Sequence, residues 1–385
     1  MMPQPMPSVT RACRLLWRSV LLLGLGATPV VAAVDLPEAT RQVLKGLKLD
    51  DSILEGLDQE LQVPQAWIDG AKKEGTFRIG GSWDPGQFRA MTAPFVARYP
   101  FVKPNYSRGN FNARAFKPLL AYQDGRYITD VLTGIGGAMQ KFIAAKALVE
   151  LTDIPGLQNV PEEMRHKDDL WTGIRIRYWC MSYNTGAVKK DDLPKTWEDI
   201  LTHPRWRDGK LGLGNLPQLW VLPLWASHGE DWTKDYLARL FGDVKPQLRK
   251  EGANQLLTLV IAGEMDAAIP SGDHRIVQYL AKGAPLGWHC PEPVPSAISE
   301  GAILRGNPNM NASKLFLNWL LSKEGQMSQY ANDDSPPIHK DLQTDKFLPF
   351  PEEILGKNIS FRDPGLEEEH DGLLELWNPY WERRK

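Results

Sequence analysis

A glycine-rich turn is the first segment whose residue types could do chemistry. Residues 130–148 read DVLTGIGGAMQKFIAAKAL, which predicts a short strand, a turn from Gly134 to Gly137 and an apolar helix. A dinucleotide-binding turn needs a third glycine where this chain has Met139. The chain also lacks the Gly-Lys-Ser or Gly-Lys-Thr of a phosphate loop. We therefore predict that no nucleotide binds here and that the protein has no cofactor.

A second turn, residues 80–84 (GGSWD), has part of the pattern of a serine-nucleophile elbow but ends in aspartate where the elbow requires glycine. We predict no catalytic residues. Both turns join a strand to a helix N-terminus, whose unpaired N–H groups and dipole favour an anion or a carbonyl oxygen. Ligands of open α/β sheets bind beyond the carboxyl ends of strands, so Ser82, Trp83, Gly136 and Gly137 are expected to share one cleft. The alternative is that the glycines only serve tight turns.

The first 33 residues predict a secretory signal peptide. Arg11, Arg14 and Arg18 precede the apolar run Ser19 to Val31, and two alanines follow it. A transmembrane anchor is the weaker alternative, because spanning a bilayer takes roughly 20 apolar residues. Cys13 lies before the apolar run, so we expect no lipid attachment and a mature protein in the periplasm.

Cys180 and Cys290 are the two cysteines beyond the predicted leader. An oxidising compartment permits one disulfide between them, and two separate buried thiols are the alternative. Neither Cys-x-x-Cys nor His-x-x-x-His occurs and the seven histidines are scattered, so we predict no metal site. The formal charge of −2 and the lack of a basic stripe argue against a nucleic-acid partner.

The elements that must position these residues follow an α/β pattern, in which short apolar runs alternate with helical periodicity. A length of 385 residues suggests about two domains. The clearest helix is Asn311 to Leu321, with one apolar stripe, Asn309 or Asn311 as its cap and Ser322 as the cap of the next helix. The predicted strands are 76–80, 102–107, 128–133, 210–214, 265–269 and 302–305.

One longer strand is predicted from Thr172 to Thr185. Side chains of a strand alternate between its two faces, so Arg175, Arg177 and Trp179 share one face while Ile174 and its apolar neighbours share the other. Its length suggests that it crosses from one domain to the next.

Taken together, segments within residues 71–339 resemble the extracellular solute-binding proteins of ABC importers, the group that includes ferric-iron, thiamine, polyamine and aminoethylphosphonate binders. The matching segments are AKKEGTFRIGGS, APFVARYPFVKPNY, DVLTG, SYNTGAVKKDDLPKTWEDIL, HPRWRDGKLGLGN, AGEMDAAI, KGAPLGW and EGAILRGNPNMNASKLFLNWLLSKEGQ.

The resemblance implies an α/β, two-lobed periplasmic-binding-protein fold of type II, with a hinge and a ligand cleft between the lobes. The expected parts are a signal peptide (1–33), a helical extension (34–65), lobe 1 (66–183 and 296–385, including the C-terminal tail) and lobe 2 (184–295). It further implies a small-molecule or ion solute, an ABC permease in the inner membrane as partner, and a monomeric protein. An exported two-lobe enzyme such as a hydrolase and a ligand-sensing partner of a membrane receptor are the alternative functions.

The resemblance also implies which residues contact the ligand. The positions that match the family's ligand-binding loops are Ser82, Trp83, Gly136, Gly137, Tyr183, Asn184 and Ser271 to Arg275, a range that includes Asp273. The ligand's chemical class stays open. Trp83, Trp220, Trp225 and Asp273 suit an organic cation, whereas Arg108, Arg114, His274 and Arg275 suit a carboxylate or phosphonate. The chain has no Tyr-Tyr pair, a feature of the ferric binders, which argues against iron.

Overall fold

A computed structural model describes residues 36–362 and 368–382. The predicted signal peptide lies outside these described residues. Within them, no helix is both long enough and apolar enough to cross a membrane.

The described residues form a mixed α/β structure. Its strands are β1 Thr76–Gly81, β2 Lys103–Arg108, β3 Val131–Thr133, β4 Thr172–Asn184, β5 Leu211–Gly214, β6 Gln247–Arg249, β7 Ala267–Gly272, β8 Leu286–His289, β9 Val294–Ile303 and β10 Ile359–Arg362. Its α-helices are α1 Glu38–Leu47, α2 Leu57–Glu60, α3 Gln65–Glu74, α4 Pro85–Met91, α5 Ala93–Arg98, α6 Phe111–Arg114, α7 Phe116–Gln123, α8 Ala138–Ala144, α9 Trp197–Thr202, α10 Val221–His228, α11 Glu230–Arg239, α12 Ala253–Ala262, α13 Asp273–Leu280, α14 Met310–Leu321, α15 Lys323–Asp333, α16 Pro351–Ile354 and α17 Glu368–Glu382.

The long strand β4 belongs to two sheets. Its first part, Thr172 to Tyr178, pairs antiparallel with β9, and its second part, Trp179 to Asn184, pairs antiparallel with β7 and β8. The strand order is β2-β1-β3-β9-β4-β7-β5-β6, with β10 beside β9. We call the part from β2 to β9, with β10, the first sheet, and the part from β7 to β6, with β8, the second sheet. The predicted long strand is thus confirmed and ends one residue earlier than expected, while its crossing from one domain to the next stays a prediction.

Membership of the apolar cores follows the alternation predicted for β4, although Arg175 and Arg177 on the other face are also buried. Ile174, Ile176, Tyr178 and Cys180 belong to one apolar core, which also includes Ala268 of β7. Met181 and Tyr183, beyond an irregularity in the pairing near Cys180, belong to a second core. The face of β4 that contributes to an apolar core therefore changes as the strand passes from the first sheet to the second.

The second core is rich in tryptophan. Trp197, Trp206 and Trp220 are fully buried there, and α17 adds Trp377, whose Nε1 donates to Asn215 Oδ1 at 2.7 Å. The C-terminal helix therefore packs against the core of the second sheet. The domain boundaries inferred from the sequence stay a prediction.

The helix predicted at 311–321 is confirmed as α14, which begins one residue earlier. Its N-terminal N–H groups are not capped by Asn309 but by Glu74 of α3, whose carboxylate accepts from the backbone of Asn311 (3.2 Å) and Ala312 (2.7 Å). Ser322 caps α15 as predicted, accepting from the N–H of Gly325 at 3.2 Å.

The predicted pairing of Cys180 with Cys290 is confirmed as a disulfide between residues 110 positions apart. It joins β4 to the segment between β8 and β9. The bond therefore ties the crossing strand to the chain that returns to the first sheet.

Candidate ligand-binding cleft

A cleft of about 700 Å³ opens where strands of both sheets end. The first sheet contributes Ser82 after β1 and Gly134 and Gly136 after β3, and the second sheet contributes loops after β5, β6 and β7. This is the edge at which ligands of open α/β sheets bind. The ionisable side chains along it are Arg114, Arg175, Arg177, His274, Arg275, Glu300, Asp333 and His370.

Arg114, the last residue of α6, is held in the first-sheet wall by backbone carbonyl groups. Its Nε donates to the carbonyl of Gly109 at 3.1 Å, and its Nη1 donates to those of Thr133 at 2.9 Å and Gly134. Burial lowers the pKa of Arg114 from its ordinary value, while the nearby charge of Glu300 acts in the opposite direction. Among the described residues, Arg114 forms no ion pair, and the charge that acts on it most strongly is that of Glu300.

Arg175 and Arg177 project from β4 and share one carboxylate. Arg175 Nη1 and Arg177 Nη2 each donate to Oδ2 of Asp333, the last residue of α15, at 2.7 Å. Arg175 Nη2 also reaches the hydroxyl of Ser82 at 2.8 Å. Burial acts to raise the pKa of Asp333, but the two guanidinium groups outweigh it and hold that pKa below its ordinary value. Within this group of three side chains, two positive charges face one negative charge.

Trp83 does not line the cleft, contrary to the prediction. It is 2% exposed, and its ring lies 4.6 Å from the guanidinium carbon of Arg175. Its Nε1 donates to Asp333 Oδ2 at 3.2 Å. The indole therefore contacts both Arg175 and Asp333 and helps to hold this ion pair in place. Ser82 is the residue of this turn that lines the cleft.

The second-sheet wall is made by the first turns of two helices. His274 and Arg275 lie in the first turn of α13, and Gly252 to Gln255 form the start of α12. Arg275 Nη1 donates to Gln278 at 2.7 Å, while its Nε is buried without a hydrogen-bond partner among the described residues. Helix N-termini favour anions, so this wall also attracts negative charge.

The turn from Gly134 to Gly137 already holds an anion, but one supplied by the protein. Glu300 Oε1, on β9, accepts from the N–H groups of Ile135 at 2.5 Å and Gly136 at 2.6 Å. The expectation that Gly136 offers its N–H to a solute is therefore corrected, because an internal carboxylate occupies that position. Gly136 still lines the cleft, whereas Gly137 is the N-cap of α8 and does not.

Trp220 and Ser271 are likewise corrected as ligand contacts, because both are fully buried. Trp220 packs against Trp197 with ring centroids 5.1 Å apart. The Ser271 hydroxyl donates to Ser182 at 2.8 Å. Both serve the interior of the second sheet.

The remaining predicted contacts do not line the cleft. Tyr183 faces the second core and stands opposite Gly287 in the sheet. Asn184 Nδ2 donates to the carbonyl of Val260 at 2.9 Å. Asp273 is 1% exposed and lies behind His274. Arg108 forms an exposed ion pair with Asp84 and is also absent from the lining.

Several cleft residues were missed from the sequence. Arg175 and Arg177 carried a usable signal, because two arginines on one face of an otherwise apolar strand are rarely buried without a partner or a ligand. Asp333 is buried and binds both arginines, but no pattern around it in the sequence indicated this role. Ser299 and Glu300 on β9 gave no sequence signal of their own.

One group of potential metal ligands occurs in the described part of the chain, formed by Glu60, His339 and Asp341, and it is not part of the cleft. His339 Nε2 lies 3.1 Å from Glu60 Oε1, and His339 Nδ1 accepts from the Asp341 N–H at 3.2 Å. Lys323 Nζ lies 3.4 Å from the Asp341 carboxylate. Both imidazole nitrogens of His339 thus already have partners, and the Lys323 ammonium group already lies beside the Asp341 carboxylate.

The model of the bacterial extracellular solute-binding protein family matches residues 82–327, which is more than half of the chain. The chain belongs to this family. The matched region contains β2 to β9, together with most of the residues that line the cleft.

Among curated proteins, the chain is similar to iron uptake protein A2 of Synechocystis, with 25% identity over 54% of this chain and 64% of that protein. It is also similar to an uncharacterised protein of Haemophilus influenzae, with 28% identity over 48% of this chain and 55% of that protein. The chain thus spans less than two thirds of the length of both relatives.

Solved structures show the same fold. Iron-bound HitA of Pseudomonas aeruginosa has a TM-score of 0.67 and 20% identity, covering 79% of this chain and 99% of its own. Apo FutA2 of Synechocystis has a TM-score of 0.64 and 20% identity, covering 80% of this chain and 98% of its own. A Trichodesmium protein in complex with iron and citrate has a TM-score of 0.66 and 18% identity, covering 80% and 99%. The predicted two-lobed periplasmic-binding-protein fold is confirmed.

Proposed function

We propose that this protein is the exported, periplasmic solute-binding component of an ABC importer, and that its solute is a small anion. The observation that carries the anion is the charge of the cleft. Of the described residues, four arginines and two carboxylates line it, and each of these carboxylates is already bonded within the protein. A partly buried surplus of positive charge is costly unless a ligand neutralises it.

An organic cation is the less favourable ligand. Trp83 and Trp220, which suited a cation in the sequence, are buried, and Asp273 does not line the cleft. Among the described tryptophans, Trp179 is the one that lines it. A cation entering here would meet four guanidinium groups.

A bare ferric ion also fits poorly. No tyrosine of the described residues lines the cleft, and Glu300 and Asp333 are engaged by the protein, so few of the oxygen ligands preferred by hard cations remain. Organic acids, phosphonates or the anionic chelate of a metal would instead use the arginines in bidentate hydrogen bonds. Iron is therefore proposed as a solute of this chain only in the form of such an anionic chelate.

Delivery to an inner-membrane permease and action as a monomer are part of the proposal. The proposal also includes the two lobes, with lobe 1 formed by residues 66–183 and 296–385 and lobe 2 by residues 184–295. Arg114 belongs to the first-sheet wall and Arg275 to the second, so closure of the two lobes on an anion would bring both arginines to it. A sensing role would use the same closed form, and neighbouring permease genes would favour transport.

A thermal-denaturation panel tests the proposal. The panel contains carboxylates, phosphonates, sulfate, citrate, ferric citrate, ferric ion, spermidine and thiamine. We expect at least one anion to raise the melting temperature by about 3 °C or more at roughly 100 times its dissociation constant, because it binds the native state only. Stabilisation by spermidine, thiamine or free ferric ion alone would contradict it.

A further inference from the structure

A buried carboxyl–imidazole pair stands in the second-sheet wall and has no role in the contacts described above. Asp273 is 1% exposed, and neither of its carboxylate oxygens has a hydrogen-bond partner among the described residues. His274 Nδ1 is also buried without a hydrogen bond and lies 3.5 Å from Asp273 Oδ1. Buried polar groups are nearly always bonded, so two facing groups left in this way call for a physical reason.

The surroundings of the pair keep His274 neutral in the free protein. Burial, and then the charge of Arg177, lower the pKa of His274 to about 4, against the opposing influence of Asp273 and Asp333. At neutral pH the ring therefore carries one proton, on one nitrogen only. The other ionisable groups near the pair are Tyr178 of β4, Arg275 of α13, Tyr330 of α15 and Asp334.

A neutral imidazole cannot satisfy Asp273 and a bound anion together. With the proton on Nδ1, the ring donates to Asp273 but turns the lone pair of Nε2 toward the cleft, where it repels an anion. With the proton on Nε2, the ring donates to the anion but turns the lone pair of Nδ1 toward the Asp273 carboxylate. The doubly protonated imidazolium alone donates to both.

We propose that His274 takes up one proton from solvent when an anion enters the cleft, so that Nδ1–H donates to Asp273 and Nε2–H donates to the anion. The inference rests on the proposed anion-binding function. In this proposal His274 contacts the ligand, and Asp273 orients the His274 ring and stabilises its imidazolium form. Each binding event removes one proton from the solution, and release of the anion returns it.

The uptake links affinity to pH. The pKa of His274 is about 4 in the free protein and higher in the complex, because the anion stabilises the imidazolium. Affinity therefore rises by about tenfold for each unit that the pH falls between these two pKa values. Below the lower value the free protein is already protonated, and the gain ends.

Proton uptake can be measured directly by pH-stat titration of the unbuffered protein. Sulfate, oxalate and succinate are suitable probes, because their charge changes little between about pH 7 and 8. At about pH 7 we expect proton uptake in the wild type, approaching one proton per bound anion where the pH lies well between the two pKa values. We expect the affinity to fall as the pH is raised.

Two variants locate the proton. His274→Asn should bind the probe more weakly and take up no proton. Asp273→Asn should still bind it with little pH dependence, because an asparagine amide can donate to Nδ1 and permit the neutral Nε2–H form. His228→Asn, a change outside the cleft, is the matched control and should behave as the wild type.

The outcomes separate this inference from the proposed function. Anion binding without proton uptake, or uptake that persists in His274→Asn, overturns the inference and leaves the proposed function standing. Uptake that is lost instead in His370→Asn, the other histidine of the cleft, also overturns it. If no anion of the probe set or of the thermal panel binds, both fail.

Discussion

Replacing Asp333 by asparagine is expected to lower the free energy of unfolding by about 3–5 kcal/mol at neutral pH. The change removes the carboxylate that Arg175 and Arg177 share and leaves two buried guanidinium groups without their counter-ion. Urea denaturation of the ligand-free protein, followed by tryptophan fluorescence, measures the effect.

The effect should depend on pH in a defined direction. The pKa of Asp333 is lowered in the folded protein, so its contribution to stability is present above the unfolded-state value of about 3.9 and is lost as the pH falls below it. The difference between wild type and Asp333→Asn should therefore shrink in acid.

Asp334→Asn is the matched control for Asp333→Asn. Asp334 makes no ion pair among the described residues, burial raises its pKa, and asparagine tolerates its left-handed backbone at φ 50°. We expect its loss to stay below about 1 kcal/mol. Equal losses at the two positions would contradict the ion-pair explanation.

Replacing Arg114 or Arg275 by glutamine is expected to raise the dissociation constant for the cognate anion by about 10- to 100-fold. Each variant removes a charge-assisted hydrogen bond, worth about 1.5–3 kcal/mol, from one wall of the cleft. Because the two arginines lie on opposite walls, either loss should weaken the closed complex. Calorimetric titration measures both constants.

Arg108→Gln is the matched control for the arginine variants. Arg108 lies on β2, carries the same charge, and forms an exposed ion pair with Asp84 outside the cleft. Exposed pairs contribute about 0–1 kcal/mol, so we expect affinity within about twofold of the wild type. If Arg108→Gln weakens binding as much as Arg114→Gln does, the effect comes from net charge and not from the cleft.

The fold was largely predictable from the sequence because its signals are local. The alternation in β4 indicated both the crossing strand and the shared face of Arg175 and Arg177, and the stripe in α14 indicated a buried helix. β9 was recognised only at its end. Its residues Ser296, Ser299 and Gly301 lack the β-branched and aromatic pattern that identifies a strand, although the strand is almost entirely buried.

The site was less predictable because it depends on contacts between distant residues. Asp333 meets Arg175 across 158 positions, and Glu300 meets Gly136 across 164. Neither contact leaves a pattern within a short window. The turn at Gly136 was correctly interpreted as suited to an anion, but sequence spacing could not show that the anion is a glutamate of the same chain.

The most direct test of an anion-binding cleft is a calorimetric titration of the protein with the carboxylate that stabilises it most, and with the neutral amide of the same molecule. The amide keeps the shape but lacks the charge that favours bonding to the cleft arginines. We predict that the carboxylate binds at least about tenfold more tightly, and that added salt weakens its binding. Equal or tighter binding of the amide would contradict the account.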